Sequence, residues 1–225
     1  MATRPVFVTT ELVPFFVRND TSFEYCPGFA VSQKRKSIEN LHQEFLKQYP
    51  DKRILEISSK SENPIGRQLS AFFLPITLKN GEKTTVESAF QSSKVFLKGG
   101  PYKDLLYQPS LVAKRDERLR SSGPIVGFDY EGEEFATEPK HFFYAWLYAK
   151  ALHENKELAD KVMEYDAFTD IEFQPQKSIN CQAMAAAIFV SLRKKGLLEE
   201  ALRQPKRFAE VVSTSTPSDR QMTFY

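Results

Sequence analysis

Glu87, Gln91 and Lys94 follow one another at intervals of four and three residues in the segment Glu87-Ser-Ala-Phe-Gln-Ser-Ser-Lys-Val-Phe96. On a helix those intervals put a carboxylate, an amide and an amine on one face about two turns long. Two readings stand. The stripe is an exposed polar face carrying an ordinary surface pair, or it is a carboxylate poised beside an amine in a cleft. In a cleft the carboxylate would stabilise a developing cation, and the amine would be a nucleophile once its pKa fell from about 10.4. A carboxylate so close raises a lysine pKa, so burial must outweigh the pairing, or Glu87 must be protonated at rest.

The elements that must position this stripe are readable in outline. Thr84 to Leu97 has Val86, Ala89, Phe90 and Phe96 on one side and Thr84 or Thr85 as a cap, which predicts a helix ended by Lys98-Gly99-Gly100-Pro101. Ser32 to Tyr49 carries Ile38, Leu41, Phe45 and Leu46 at helical spacing and stops at Pro50. Residues 5–17 and 22–31 read as extended chain, Arg53 to Ser58 as a short strand and Ser59 to Arg67 as a loop. Leu69 to Leu78 reads as strand or extended chain, with a hairpin at Asn80-Gly81. Ser110 to Arg120 is a short basic helix, and Ser121 to Pro139 a Gly- and acid-rich connection. Lys140 to Leu158 and Lys161 to Ala167 read as helices, with Phe142 to Tyr148 and Trp146 assigned to packing. A loop with Pro175 follows, then an Ala-rich helix from Asn180 to Lys195 ended by Gly196, and a frayed tail over 213–225. The expected fold class is α+β, a helix-dominated single domain over 1–225 with a few short strands around Leu69 to Leu78.

Composition narrows the chemistry. At 225 residues, with 41% hydrophobic and 27% charged residues, the chain supports a full core, and disordered, collagenous and membrane classes are excluded. Lys+Arg at 31 against Asp+Glu at 29 leaves a net charge of +2, so any polyanion contact must be local. Cys26 and Cys181 are too few for a disulfide framework or a zinc set. The amino terminus lacks a secretory pattern, so a cytoplasmic protein with no membrane contact is expected. No Gly-rich phosphate loop, CxxC, HExxH or GxSxG occurs, and His42, His141 and His153 read as surface or structural. No metal site and no cofactor are expected.

The Glu87 to Phe96 segment resembles the E-H-x-x-Q-A-x-K-F motif of the NADAR family, the YbiA-like N-glycosidases, with Glu87, Gln91 and Lys94 matching and Ser88 in place of His. Leu69-Ser70-Ala71-Phe72 before Pro75-Ile76 resembles that family's F-S-N-F element, and Ser110-Leu-Val-Ala113-Lys114 its S/T-P-x-x-A-A stretch. Asp170-Ile-Glu-Phe173 is similar to its D-x-x-W, and Asn180 to the Asn of its G-x-N-x-L-G element. The matches run in order from about residue 54 to 193, leaving 1–53 as an amino-terminal extension. Ala71 stands for Asn, Phe173 for Trp, and the glycines near Asn180 are missing, which sets the chain apart from the riboflavin-pathway pattern. The wording I-S-S-K-S, V-E-S-A-F-Q-S-S-K-V-F with G-G-P-Y, and F-T-D-I-E-F-x-P-x-x-S-I-N-C-Q-A resembles the branch found beside DarT-type toxins.

That resemblance implies an antitoxin that removes ADP-ribose from guanine in DNA, with ADP-ribose as product and a DarT-type ADP-ribosyltransferase as functional partner. It implies Glu87 and Lys94 as catalytic groups, and Asp170 as a third that binds ribose hydroxyls or activates water, unless it is a turn residue. Ser58, Ser59, Lys60 and Arg67 flank a loop suited to a diphosphate, or to solvent. Ser70 and Gln91 belong to the same implied ligand set. Phe72, Phe73 and Phe173 are stacking candidates or core, and Asn180 or Gln182 an amide within reach of the ligand. Lys34, Arg35, Lys36, Lys114, Arg115, Arg118 and Arg120 are candidate DNA contacts, or simply hydrophilic helix surface. Two alternatives remain at this stage: cleavage of riboflavin-pathway intermediates, and a non-catalytic antitoxin acting by contact.

Overall fold

The computed structural model describes residues 1–139, 141–174 and 180–213. Lys140, residues 175–179 of the loop with Pro175, and all of the tail expected over 213–225 except Ser213, which ends a helix, lie outside the described residues. The fold is α+β, as expected, but its strands are distributed differently. The main sheet is built from β1 (Ala2–Thr9), β2 (Phe16–Phe23), β3 (Ile54–Glu56) and a late strand, Ala167–Thr169. The order is β2, β1, the late strand, β3, and the last two run parallel. The segment expected to end a helix at Ala167 is therefore a strand, because Ala167-Phe168-Thr169 finds partners on both sides.

Alternation across this sheet divides the core. Val6 and Ala167 face α1 (Val31–Gln48), where Ile38, Leu41 and Phe45 bury one stripe. Phe7, Leu55 and Phe168 face the larger core. That core holds two helices apolar on nearly every side, α6 (Phe142–Glu154) and α8 (Gln182–Lys194), which explains their lack of a polar stripe. Trp146 and the Phe142 to Tyr148 run are buried there.

Between β3 and α6 in the chain lie the elements that carry most of the candidate residues. The expected loop before Arg67 contains α2 (Pro64–Gln68), capped by the Asn63 side chain. Gly66 in α2 lies so close to β3 that a Cβ there would stand 2.1 Å from the Glu56 carbonyl oxygen, so only glycine fits. Leu69 to Leu74 forms turns rather than strand, and only Pro75–Thr77, β4, pairs with β5 (Lys83–Thr85). Next come α3 (Val86–Ser92), β6 (Lys94–Phe96), a 3₁₀ turn over Lys103–Tyr107, α4 (Ser110–Arg115) and α5 (Arg118–Ser121). The expected connection over 121–139 is instead a hairpin, β7 (Ile125–Tyr130) and β8 (Glu133–Phe135). Its two-residue turn, Glu131-Gly132, has both residues at positive φ, a turn usually announced by Asn or Asp at the first position. The remaining elements are α7 (Lys156–Val162), β9 (the late strand Ala167–Thr169), α9 (Leu198–Leu202) and α10 (Pro205–Ser213).

Candidate functional site

The helix expected over Thr84 to Leu97 ends at Ser92. The Ser92 and Ser93 hydroxyls both donate to the Ala89 carbonyl, at 3.0 and 2.7 Å, and Val95 and Phe96 then join β6 against β7. Lys94 is thus on a strand, not one helical turn beyond Gln91. At the other end Thr85 caps α3, accepting from Ser88 N at 3.2 Å and bonding Ser110 Oγ at 2.7 Å. The Val86 and Glu87 amides donate to the Leu74 and Ala71 carbonyls, which docks the Ser70 to Leu74 turns on the helix start.

The three residues still converge. Gln91 Nε2 donates to Glu87 Oε1 at 2.9 Å, and Lys94 Nζ donates to Gln91 Oε1 at 2.7 Å. Glu87 is 5% exposed and Gln91 6%, which excludes an exposed surface stripe. A second lysine joins them: Lys114 Nζ from α4 lies 3.7 Å from Glu87 Oε1 and 4.8 Å above the Phe72 ring. Lys94 sits 4.7 Å above the Phe90 ring. Its pKa falls from 10.5 to about 8, because burial outweighs the opposing pull of Glu87 and Lys114 adds repulsion.

These groups line a cleft of about 800 Å³, which Ser58, Ser59, Lys60, Ser70, Phe72, Asp170, Phe173 and Asn180 also line. Ser58 is buried and accepts the Lys60 amide at 3.1 Å. Phe173 packs edge-on against Phe7 with centroids 6.5 Å apart. Arg67 and Phe73 are outside this lining. The Arg67 guanidinium donates to the Ser61 and Glu62 carbonyls at 2.7 and 2.8 Å, so it braces its own loop rather than facing the cleft. Phe73 points to solvent.

Asp170 is half-buried on the cleft floor. Burial first, and then the nearby carboxylate of Glu56, raise its pKa from 3.8 to about 8. Glu56 is itself buried and raised. It accepts from the Thr169 hydroxyl at 2.6 Å and from Ile171 N at 2.9 Å. His42 of α1 stands 2.8 Å from the same threonine oxygen. Since that hydroxyl donates to Glu56, His42 Nε2 donates to it, and burial pulls the imidazole pKa down to about 4.

Gln182 organises this floor. Its amide oxygen accepts from Ala71 N at 2.8 Å and Ser70 Oγ at 3.4 Å, while its nitrogen donates to the Ile57 carbonyl at 2.7 Å and to Asp170 Oδ2 at 3.0 Å. One side chain from α8 thereby ties β3, the Ser70 turn and Asp170 together. Sequence reasoning missed Glu56, Phe90 and Tyr144 as site residues and took Lys114 only as a candidate DNA contact or hydrophilic helix surface. Lys114 lay within the family-like Ser110 to Lys114 stretch, and Phe90 within the Glu87 motif; Glu56 and Tyr144 had no local signal.

A family model described as a DarT1-associated NADAR antitoxin matches residues 2–222. No curated protein matches the chain. The resemblance traced over about residues 54–193 is the inner part of that match, which also takes in β1, β2 and α1. Among the described residues no helix is long and apolar enough to cross a membrane, and no group of three or more His, Cys, Asp or Glu side chains could hold a metal ion.

Proposed function

The chain belongs to the family of DarT1-associated NADAR antitoxins, and from that premise we propose that it hydrolyses the N-glycosidic bond joining ADP-ribose to the exocyclic amine of guanine in DNA. The observation that carries the proposal is Glu87: a carboxylate buried at the wall of a large cleft and flanked by Lys94, through Gln91, and by Lys114. Cleavage of such a bond passes through a cation-like transition state at the ribose anomeric carbon. A desolvated carboxylate facing that carbon lowers the barrier. The volume is of the size that holds a dinucleotide-sized ligand.

Asp170 supplies the proton. With a pKa near 8 it is mostly protonated at neutral pH, which suits it to protonate the departing guanine amine rather than to act as a base toward water. Ser58, Ser59, Lys60, Ser70 and Asn180 line the part of the cleft suited to the diphosphate and ribose hydroxyls; Phe72 lines it with Lys114 over its ring, and Phe173 lines it as a mostly buried core residue.

The lowered pKa of Lys94 favours a second route through the same residues. About a tenth of its amine is neutral at pH 7, enough to add to C1′ of the ring-opened sugar, which is joined to the guanine amine as an imine; the C1′–N bond to guanine breaks, guanine leaves with its amine protonated, and water hydrolyses the resulting lysine Schiff base to ADP-ribose and free amine. The experiment is release of free ADP-ribose from a guanine-ADP-ribosylated oligonucleotide by the unmodified protein, Glu87→Gln and Lys94→Ala. Release that is lost in Glu87→Gln supports hydrolysis. No release from a verified substrate overturns it and directs attention to riboflavin-pathway intermediates or to neutralisation by contact. Borohydride trapping of an adduct on Lys94 separates the two routes.

A further inference from the structure

The cations around the cleft are unevenly committed. On the α1 side, Lys34 lies 3.5 Å from Glu172 and Arg35 lies 3.6 Å from Glu62. On the opposite side Lys114 is drawn to Glu87, and Arg118 is held by Asp104 at 2.6 Å and Asp116 at 2.8 Å while its guanidinium covers the Tyr102 ring. Arg115 of α4 and Arg120 of α5 line the cleft mouth, are exposed, and carry no ion pair among the described residues. Leu111, one helical turn before Arg115 and on the same face of α4, also lines the mouth and is 50% exposed. Val112 beside it is equally open. Exposed aliphatic side chains on the same cleft rim as two uncommitted guanidinium groups make a surface complementary to a polyanion with apolar gaps.

We propose that the α4–α5 rim is the strand-gripping edge of the cleft: Arg115 and Arg120 hold phosphates flanking the modified guanine, and Leu111 fills the gap in the base stack when that nucleotide turns inward. This rests on the hydrolase reading above. A base attacked at an exocyclic group must leave its stack to enter a cleft, and apolar wedges beside cations are the means by which proteins compensate for the unstacking. The strand therefore lies across the α4–α5 side, where two arginines that line the cleft carry no ion pair among the described residues; on the α1 side Lys34 and Arg35 are paired, and of the lysines there only Lys60 lines the cleft.

The test compares kcat/KM on a guanine-ADP-ribosylated oligonucleotide with that on ADP-ribosylated guanosine, which has no flanking phosphates. For Arg115→Ala/Arg120→Ala the ratio of the two should fall about tenfold. The salt dependence on the oligonucleotide should flatten by about 1.4 in log–log slope, two single-strand phosphate contacts at ~0.7 each. Leu111→Ala should lower the ratio about fivefold with little change in salt dependence. An unchanged ratio, or equal losses on both substrates, overturns the proposal. Fluorescence anisotropy with an unmodified labelled single-stranded oligonucleotide gives a reading that needs no hydrolysis. Weaker binding by the double arginine variant supports the strand edge even if neither substrate is cleaved. Unchanged binding together with loss of toxin contact would assign the rim to a protein partner instead.

Discussion

Lys94 reaches Glu87 only through Gln91: the amide donates to the carboxylate at 2.9 Å and accepts from the amine at 2.7 Å, and no direct ion pair joins the two charges. The relay keeps the opposite charges close enough to act on each other's reactivity while leaving the amine free of a carboxylate clamp. Burial can then lower the Lys94 pKa despite the acid two side chains away.

Glu87→Gln should abolish the charge that stabilises the cleavage transition state and lower kcat by about a hundredfold or more. It should also push the Lys94 pKa further down, because Glu87 is the neighbour that raises it. Reductive methylation of Lys94 followed across pH by mass spectrometry reads the second effect. An amine less reactive at pH 7 in the variant than in the unmodified protein contradicts the arrangement described.

The pH profile of kcat/KM should peak near pH 8. Neutral Lys94 amine increases as pH rises toward about 8, and protonated Asp170 declines as pH passes about 8. Lys94→Ala should remove any acidic limb due to the amine, and Asp170→Asn any alkaline limb due to the carboxyl. A profile governed by pKa values near 4 and 10 in the free enzyme would show that neither group titrates as its surroundings require.

Asp170 also makes stability depend on pH in a defined direction. Its folded pKa of about 8 lies above the 3.8 of the unfolded chain, so between those values the folded state holds the extra proton. Stability therefore falls as pH rises from about 4 to about 8, where the unfolded carboxyl ionises and the folded one does not. Below about pH 6.5 the lowered His42 pKa acts in the opposite sense, so urea unfolding at pH values between about 6.5 and 8 should show this decline in the unmodified protein and a smaller one in Asp170→Asn.

Gln182→Ala should destabilise the protein by ~2–4 kcal/mol in chemical denaturation, since it strips partners from the buried Ala71 amide and Ile57 carbonyl as well as from Asp170. Activity should fall with it, and Gln182→Glu should not restore either, because a carboxylate cannot donate to the Ile57 carbonyl. Full activity in Gln182→Ala would mean that the cleft floor does not depend on this clamp.

The order and spacing of Glu87, Gln91 and Lys94, the Thr85 cap, and the apolar stripe of α1 were all legible in the chain, since each follows from local periodicity and short-range hydrogen bonding. So were the buried, uniformly apolar α6 and α8. The early end of α3 was not, because two serine hydroxyls compete for the Ala89 carbonyl and β7, 30 residues onward, offers β6 its hydrogen bonds. The 161–167 segment went the same way when Ala167 to Thr169 found β1 and β3.

For the site, the sequence by itself determined which acid, amide and amine were available and that they would lie near one another. Tertiary structure alone decided that they are buried, that Lys114 joins them from α4, that Glu56 sits beside Asp170, and that Arg67 turns away to its own loop. The physical reason is that desolvation and long-range charge proximity set the reactivity of these groups. Both depend on which distant segments pack together, a relation that no local spacing of residues encodes.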